Sequence, residues 1–315
     1  MPVMNVDAAY QQSRNGMRRA AFVAVGFFVA FFLSIHAVAA TGVRDDAGNL
    51  VVLQRPAQRV VTLAPNLTEL VFAAGGGDRI VGAVSYSDFP PEARRIPLVG
   101  DDRQIDMERL MAAKPDLLVA WLNGNSGRQL EQLRKAGIAI FFSEPRTLAE
   151  IPDTILRLGQ LLGTETQAQK SAAGLRLELT NLGTRYRNRP PVRVFYQVWD
   201  RPLYTLNGRQ IVSDVIRLCG GVNIFAGLST TAPIVGIESV LLENPDAIVA
   251  GFEADNATRS LEHWKKYPAL AAVRHRNLFA VNADLLSRPG PRMIRGAAEL
   301  CEKIEEARNH LKAPP

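Results

Sequence analysis

The sequence predicts an α/β protein of two lobes joined by one long helix. Three observations carry this. β-rich runs alternate with helical segments over residues 42–163 and again from residue 190, which implies mostly parallel sheets flanked by helices. Between those stretches, residues 164–187 carry one uninterrupted helical pattern. Finally, one phrase is written twice, as DMERLMAAKPDLLVA at residues 106–120 and GIESVLLENPDAIVA at 236–250. In both copies a glutamate (Glu108, Glu238) stands seven positions before a proline (Pro115, Pro245), an Asp follows, and an apolar run ending in Val-Ala closes the phrase. Proline cannot continue a helix, and it pushes its predecessor out of the α region. The phrase therefore reads as a short helix, a Pro-Asp turn and a buried strand. A spacing of roughly 130 residues is too long for a solenoid unit, so the repeat marks two lobes of one design.

Residues 1–40 stand apart. Arg18 and Arg19 precede the apolar stretch AAFVAVGFFVAFFL, and HAVAA follows, with Ala37 and Ala39 framing a small-residue cleavage site. That order is a secretory signal peptide, and the apolar stretch is shorter than the ~20 residues a spanning helix needs. Export is the expectation, with a retained anchor as the alternative. Setting these residues aside removes Arg14, Arg18, Arg19 and Asp7, which takes the formal net charge from +6 to +4. With no basic run of five or more, the charge gives no case for nucleic acid.

The remaining elements follow in order. VRDDAGNLVVL predicts a hairpin turning at Asp46–Asn49. RVVTLAP is a buried strand. NLTELVFAAGGG is a helix, with Asn66 as its cap, Glu69 completing a capping box and Gly75–Gly77 as its stop. RIVGAVS is a strand, IDMERLMAAK a helix capped by Asp106, DLLVAW a strand, GRQLEQLRKAG a helix, IAIFFSE a strand and TLAEIPDTILRLGQLLG a helix. In residues 164–187, Ala168, Ala172, Leu175, Leu179, Leu182 and Tyr186 share one face of a helix roughly 35 Å long. After RNRPP come the strand VRVFYQVW, the helix QIVSDVIRLCGG, the second copy of the phrase, the strand NLFAVNA and a last helix from Gly296 to Leu311. The predicted domains are a signal peptide at 1–40, an N-terminal α/β lobe at 41–163, a connecting helix at 164–189 and a C-terminal α/β lobe at 190–315.

Few residues carry chemistry. Beyond residue 40 the histidines are His263, His275 and His310, none at metal-ligand spacing, so no metal site is predicted. No G-x-S-x-G elbow occurs, and the GGG at 75–77 follows a helix where a dinucleotide fingerprint would follow a strand. Cys219 and Cys301 make an even count in an exported chain, which fits one disulfide; two buried thiols are the alternative. Glu108 and Glu238 are open to two readings, a catalytic acid–base pair or carboxylates displayed at helix starts, where the helix dipole favours them. Aromatic residues collect at strand ends: Tyr86 after RIVGAVS, Trp121 ending DLLVAW, Trp199 ending VRVFYQVW, and Tyr204 just beyond. Ligands of open α/β sheets sit beyond the carboxyl ends of strands. Four rings from both lobes suit a large flat ligand in a cleft, with Asp284 and Arg288 as polar contacts.

RVVTLAPNLTELVFAAG, SYSDFPPEARRIP, DMERLMAAKPDLLVAW, IRLCGGVNIF and SRPGPR together resemble the periplasmic cobalamin-binding proteins of ABC importers. These fall in the helical-backbone (class III) substrate-binding proteins, which also bind haem and ferric siderophores. The resemblance runs from about residue 57 to the end of the chain. It implies two Rossmann-like lobes joined by a rigid helix, with the ligand between them, and a monomer located in the periplasm. It implies that Glu108 and Glu238 dock on the two permease subunits, and that Cys219 and Cys301 are bridged. The resemblance places Tyr86, Trp121, Tyr204, Asp284 and Arg288 at ligand-cleft positions, and Trp199 at its strand end and Pro65 and Asn66 at the end of RVVTLAP complete the candidate ligand site. Neither cofactor nor catalytic residue is implied, and the ligand is cobalamin or a related corrinoid. The chain departs from the family at Asp102 and near Ala232 and Pro233, where rings are missing, and at Trp199, where one is added. A haem or ferric-siderophore binder, with Tyr86 or Tyr204 as an iron ligand, and an exported enzyme using Glu108 and Glu238 as acid and base are the competing readings.

Overall fold

The computed structural model describes residues 41–101, 104–252 and 260–312. The predicted signal peptide and Asp102 lie outside the described residues. The hairpin comes first, as strands β1 (Thr41–Arg44) and β2 (Leu50–Leu53) paired antiparallel. Asp45 makes its turn by accepting hydrogen bonds from the amides of Ala47 and Asn49 at 3.0 and 2.7 Å. The first sheet then builds through β3 (Val60–Thr62), α1 (Pro65–Ala73), β4 (Ile80–Ala83), α2 (Met107–Ala112), β5 (Leu117–Trp121), α3 (Gly127–Lys135), β6 (Ala139–Ser143) and α4 (Glu150–Leu162). The long helix α5 (Glu165–Tyr186) follows.

The second sheet is built from β7 (Val192–Gln197), α6 (Ile211–Leu218), β10 (Gly221–Asn223), α7 (Ile237–Glu243), β11 (Ala247–Phe252), α8 (Ala271–Arg274) and β12 (Leu278–Asn282). Between β7 and α6 lies a two-stranded hairpin, β8 (Trp199–Asp200) and β9 (Leu203–Tyr204). Helices α9 (Ala283–Leu286) and α10 (Met293–His310) close the chain. The orders are β4-β3-β5-β6 and β10-β7-β11-β12, and every pairing is parallel. The two sheets thus share one topology, with the first strand inside, the second to one side and the third and fourth to the other.

The repeated phrase occupies the same place in each sheet, as α2–β5 and as α7–β11. Its Pro-Asp turn does the same work twice. Asp116 accepts from the amides of Gln58 and Arg59 at 2.8 and 2.9 Å, and Asp246 accepts from the amide of Arg193 at 2.8 Å. Each aspartate so anchors the entry to the first strand of its sheet. In return, Arg59 donates to the carbonyl of Ala113, and Arg193 to that of Glu243, satisfying carbonyls at the end of the phrase's helix. The residues before the two prolines adopt positive φ, 47° at Lys114 and 44° at Asn244, rather than extended backbone. A left-handed residue turns the chain off the helix end, so the clash of the proline ring with an αR predecessor is avoided by that route.

Two boundaries differ from the sequence reading. Helix α1 begins at Pro65, with Ala64 as its cap residue and no side-chain cap, because proline at the first helical position supplies a ready-made φ. Asn66 and Glu69 therefore do not form a capping box. Helix α10 begins at Met293, three residues ahead of Gly296, with the Met293 amide bonded to the Gly290 carbonyl at 3.0 Å. The short elements β8, β9, β10, α8 and α9 carry too few residues for a periodic pattern.

Helix α5 packs on α4 of the first half and on α6 and α10 of the second. Ala168, Ala172 and Tyr186 are buried along its predicted face, with Leu175, Leu179 and Leu182 half-buried against the core. The approach to α4 is close: a Cβ on Gly159 would stand 2.3 Å from Cβ of Ala168. One continuous core runs from Val60 and Leu117 of the first sheet through Ala168 and Tyr186 to Val194, Val249 and Ile304. Residues 41–315 accordingly form one compact unit.

Cys219, at the end of α6, is bridged to Cys301 in α10. The bridge spans 82 residues of sequence, for which the chain-entropy estimate of stabilisation is ~4 kcal/mol. The Cys219→Ser/Cys301→Ser variant is expected to lose roughly 2–5 kcal/mol in denaturant unfolding. Two thiols alkylated without reductant in exported protein would contradict the bridge.

Candidate ligand-binding cleft

The carboxyl ends of β3, β4 and β5 open on one edge of the first sheet, and each delivers residues to one cleft. Ala64, Pro65 and Asn66 follow β3, Ser85 and Tyr86 follow β4, and Trp121 ends β5. The second half faces them with Asp284 of α9 and with Ser287, Arg288 and Pro289 of the segment behind it. The cleft measures ≈ 390 Å³. It gathers Pro65, Asn66, Tyr86, Trp121, Asp284 and Arg288 from the predicted set. Trp199 and Tyr204 do not line it; they face each other across the β8–β9 hairpin, and the Trp199 indole donates to the Arg201 carbonyl at 3.1 Å.

The two cleft rings are held by different means. Tyr86 sits at φ 65°, a conformation costly for an aromatic residue, and its ring is 77% exposed. The backbone spends strain there to present the ring outward. Trp121 is braced by Asn125, which accepts from its amide at 2.7 Å and donates to the Leu63 carbonyl at 2.8 Å. The indole lies over Gly124, where any Cβ would stand 1.8 Å from the ring. Trp121 also packs on the core, so one face is structural and the other borders the cleft.

Polar contacts beside the cleft tie the two halves together. Arg292 reaches Glu69 of α1 with two hydrogen bonds, at 2.6 and 3.1 Å, and lies 4.3 Å over the Phe89 ring. The Glu69 side chain is 2% exposed. Arg288 pairs with Asp88 at 2.9 Å and with Asp284 at 3.2 Å. The Asn66 amide donates to the Pro289 carbonyl at 3.3 Å. Burial pushes the Glu69 carboxyl above its usual range, against the pull of Arg292. The hydrogen bond it donates to Glu69 raises Arg292 in turn. Glu69 is thus a carboxyl that protonates more readily than an ordinary one, held against a guanidinium. At Asp88 burial acts upward, but the hydrogen bond and charge of Arg288 outweigh it and hold the carboxyl below its usual range.

Sequence reasoning did not single out Glu69, Asp88 or Arg292 for these roles. Glu69 lies in NLTELVF, Asp88 in SYSDFPP and Arg292 in SRPGPR, and the partner of each is at least 200 residues away. Ala64, Ser85, Ser287 and Pro289 carry no distinctive chemistry and enter the lining as neighbours of residues that do. Glu108 and Glu238 are exposed in the first turns of α2 and α7, and neither lines the cleft. Each of these helices starts where the preceding connection leaves the carboxyl edge of its sheet. Among the described residues, no group of three or more His, Cys, Asp or Glu is placed to hold a metal ion, and no helix is long and apolar enough to cross a membrane.

The sequence profile of the periplasmic binding protein family matches residues 60–285. The vitamin B12-binding protein of Vibrio cholerae serotype O1 is 39% identical over 253 residues, covering 80% of this chain and 91% of that protein. The crystal structure of the periplasmic vitamin B12-binding protein of Vibrio cholerae superimposes with a TM-score of 0.75 at 38% identity, over 80% of this chain and 98% of that one. A periplasmic haem-binding protein from Pseudomonas aeruginosa shares the fold, with a TM-score of 0.68 at 24% identity, over 79% of this chain and 92% of that one.

Removing one partner of a buried ion pair strands the other charge, at a cost of roughly 3–5 kcal/mol. Arg292→Ala is expected to show a loss of that size in urea unfolding at neutral pH, because Glu69 has no other cation bonded to it. A loss below about 1 kcal/mol would place the pair among surface bridges.

Proposed function

The chain belongs to the periplasmic binding protein family, and we propose that it captures cobalamin or a related corrinoid and delivers it to an ABC importer. The observation that carries this reading is the cleft, where Tyr86 and Trp121 on one side face the Asp284–Arg288 pair on the other. Flat apolar rings and a few placed polar groups suit a large ring system with amide and phosphate substituents. The vitamin B12-binding relatives supply the ligand class. At ≈ 390 Å³ the cleft is at the low end for ligand pockets. A corrinoid fills it and projects beyond it, and we assign Trp199 and Tyr204, on the hairpin after β7, to that outer part. We read residues 1–40 as the signal peptide that sends the chain to the periplasm. Residues 41–163 and 190–315 act as the two lobes around the 164–189 connection. The chain works as a monomer and performs no chemistry: an acid–base pair needs both carboxylates in one cavity, whereas Glu108 and Glu238 are exposed outside the cleft. Calorimetry against cyanocobalamin, cobinamide, haemin and a ferric siderophore tests the assignment. Binding of haemin alone would replace it with the haem reading, with Tyr86 as the candidate iron ligand.

Trp121→Ala is expected to weaken cyanocobalamin binding by roughly 1–3 kcal/mol, the scale of a buried aromatic side chain. Calorimetry beside thermal melting separates the roles of its two faces. Unchanged affinity with a large fall in melting temperature would make the ring purely structural.

Glu108 and Glu238 stand at equivalent positions of the two lobes, as docking on a pair of permease subunits requires. Charge reversal of both to Lys is expected to abolish corrinoid-dependent growth while leaving calorimetric affinity intact. Growth at the wild-type rate would overturn the docking role, and lost corrinoid binding would move the residues into the ligand site.

A further inference from the structure

Arg288 is the one cation that the described lining brings to the cleft. Its side chain is 15% exposed, and two of its nitrogens are already engaged, Nη1 by Asp88 and Nη2 by Asp284. A guanidinium carries five N–H donors in a rigid fork, so these two contacts fix its plane and leave the remaining donors aimed. The contacts differ in kind. Asp284 stands four residues before Arg288 and moves with it, whereas Asp88 belongs to the other half of the molecule, 200 residues away. Asp88 also belongs to the turn that presents Tyr86: its amide donates to the Tyr86 carbonyl at 3.0 Å. One short segment therefore carries a cleft ring and grips the cleft cation.

We propose that Asp88 is a positioning residue for the cleft: its carboxylate, contributed by the N-terminal half, holds the Arg288 guanidinium of the C-terminal half in the orientation that meets the ligand. This deepens the corrinoid reading and rests on it. Asp88 does not line the cleft itself, and acts through Arg288. The halves do not depend on it for their attachment, because Glu69–Arg292, the Asn66–Pro289 hydrogen bond and the shared core remain. Without Asp88 the Arg288 head loses its ion pair with the first half and keeps the one with Asp284, four residues before it.

The test is a double-mutant cycle read by calorimetry with cyanocobalamin, together with thermal melting of each unliganded protein. Asp88→Asn is expected to weaken binding roughly tenfold, the scale of one charge-assisted hydrogen bond, with a melting temperature close to wild type. Arg288→Gln is expected to weaken it as much or more. The double variant should bind like Arg288→Gln alone, since Asp88 has no route to the ligand once Arg288 is gone. Asp88→Glu, which keeps the charge, should recover most of the loss, and it carries the same test if Asp88→Asn folds poorly. Additive losses in the double variant, or equal affinity of Asp88→Asn and wild type, would overturn the proposal. A wild-type chain that binds no corrinoid would instead overturn the functional reading beneath it.

Discussion

Glu69 and Arg292 meet beside the cleft, one from α1 of the first half and the other from the start of α10 in the second. Taking a carboxylate to 2% exposure is expensive, and a buried pair of this kind adds little net stability. It does impose geometry. Neither charge tolerates the loss of the other, so the two halves have one favourable relation at this point. The bidentate fork sets the orientation as well as the distance, and the Phe89 ring covers its face. Around that anchor, Pro289 receives Asn66 and Arg288 reaches Asp88. The cleft is preformed because the segment 284–292 is stitched to the first half along its length. A core that continues through α5 from one sheet to the other supports the same relation.

The two sheets repeat one solution to a local problem. A parallel sheet needs its first strand placed before later strands can pair with it. In each half, the aspartate of the Pro-Asp turn binds the backbone at the start of that strand, and an arginine from the strand entry binds the end of the preceding helix. This reciprocal brace explains why proline and aspartate keep register in both copies. It does not explain the glutamates seven positions earlier, which are exposed and make no part of the brace. Their place on two equivalent helices is what the proposed docking on two permease subunits asks for.

Ligand binding favours rigid, pre-oriented contacts, since any ordering left until the ligand arrives reduces affinity. The cleft meets that demand in three ways. Tyr86 is held outward by a backbone conformation it does not prefer, Trp121 is locked between Asn125 and the bare backbone of Gly124, and Arg288 is gripped from both sides. The edge on which they converge follows from topology, because the carboxyl ends of parallel strands carry the connections that can vary.

Local order was readable from the chain alone. The strands and helices of both halves, the single helix at 165–186 and the equivalence of the two phrases follow from periodicity and from the backbone chemistry of proline, and these act over a few residues. Two of the aromatic strand ends, Tyr86 and Trp121, lie at the carboxyl edge of the first sheet, where they share a cleft with Pro65, Asn66, Asp284 and Arg288. Tertiary structure decided what each polar side chain faces. Asn66 and Glu69 have the spacing of a capping box, yet the helix starts at Pro65, two residues early, and both turn to partners more than 200 residues away. Asp88 in SYSDFPP and the arginines of SRPGPR show no pattern in sequence, since an ion pair requires only proximity in space. Trp199 and Tyr204 likewise end up paired on a hairpin too short for any period to announce. A chain encodes its elements through neighbours, whereas the ion pairs beside its cleft join residues that meet only once both halves have folded.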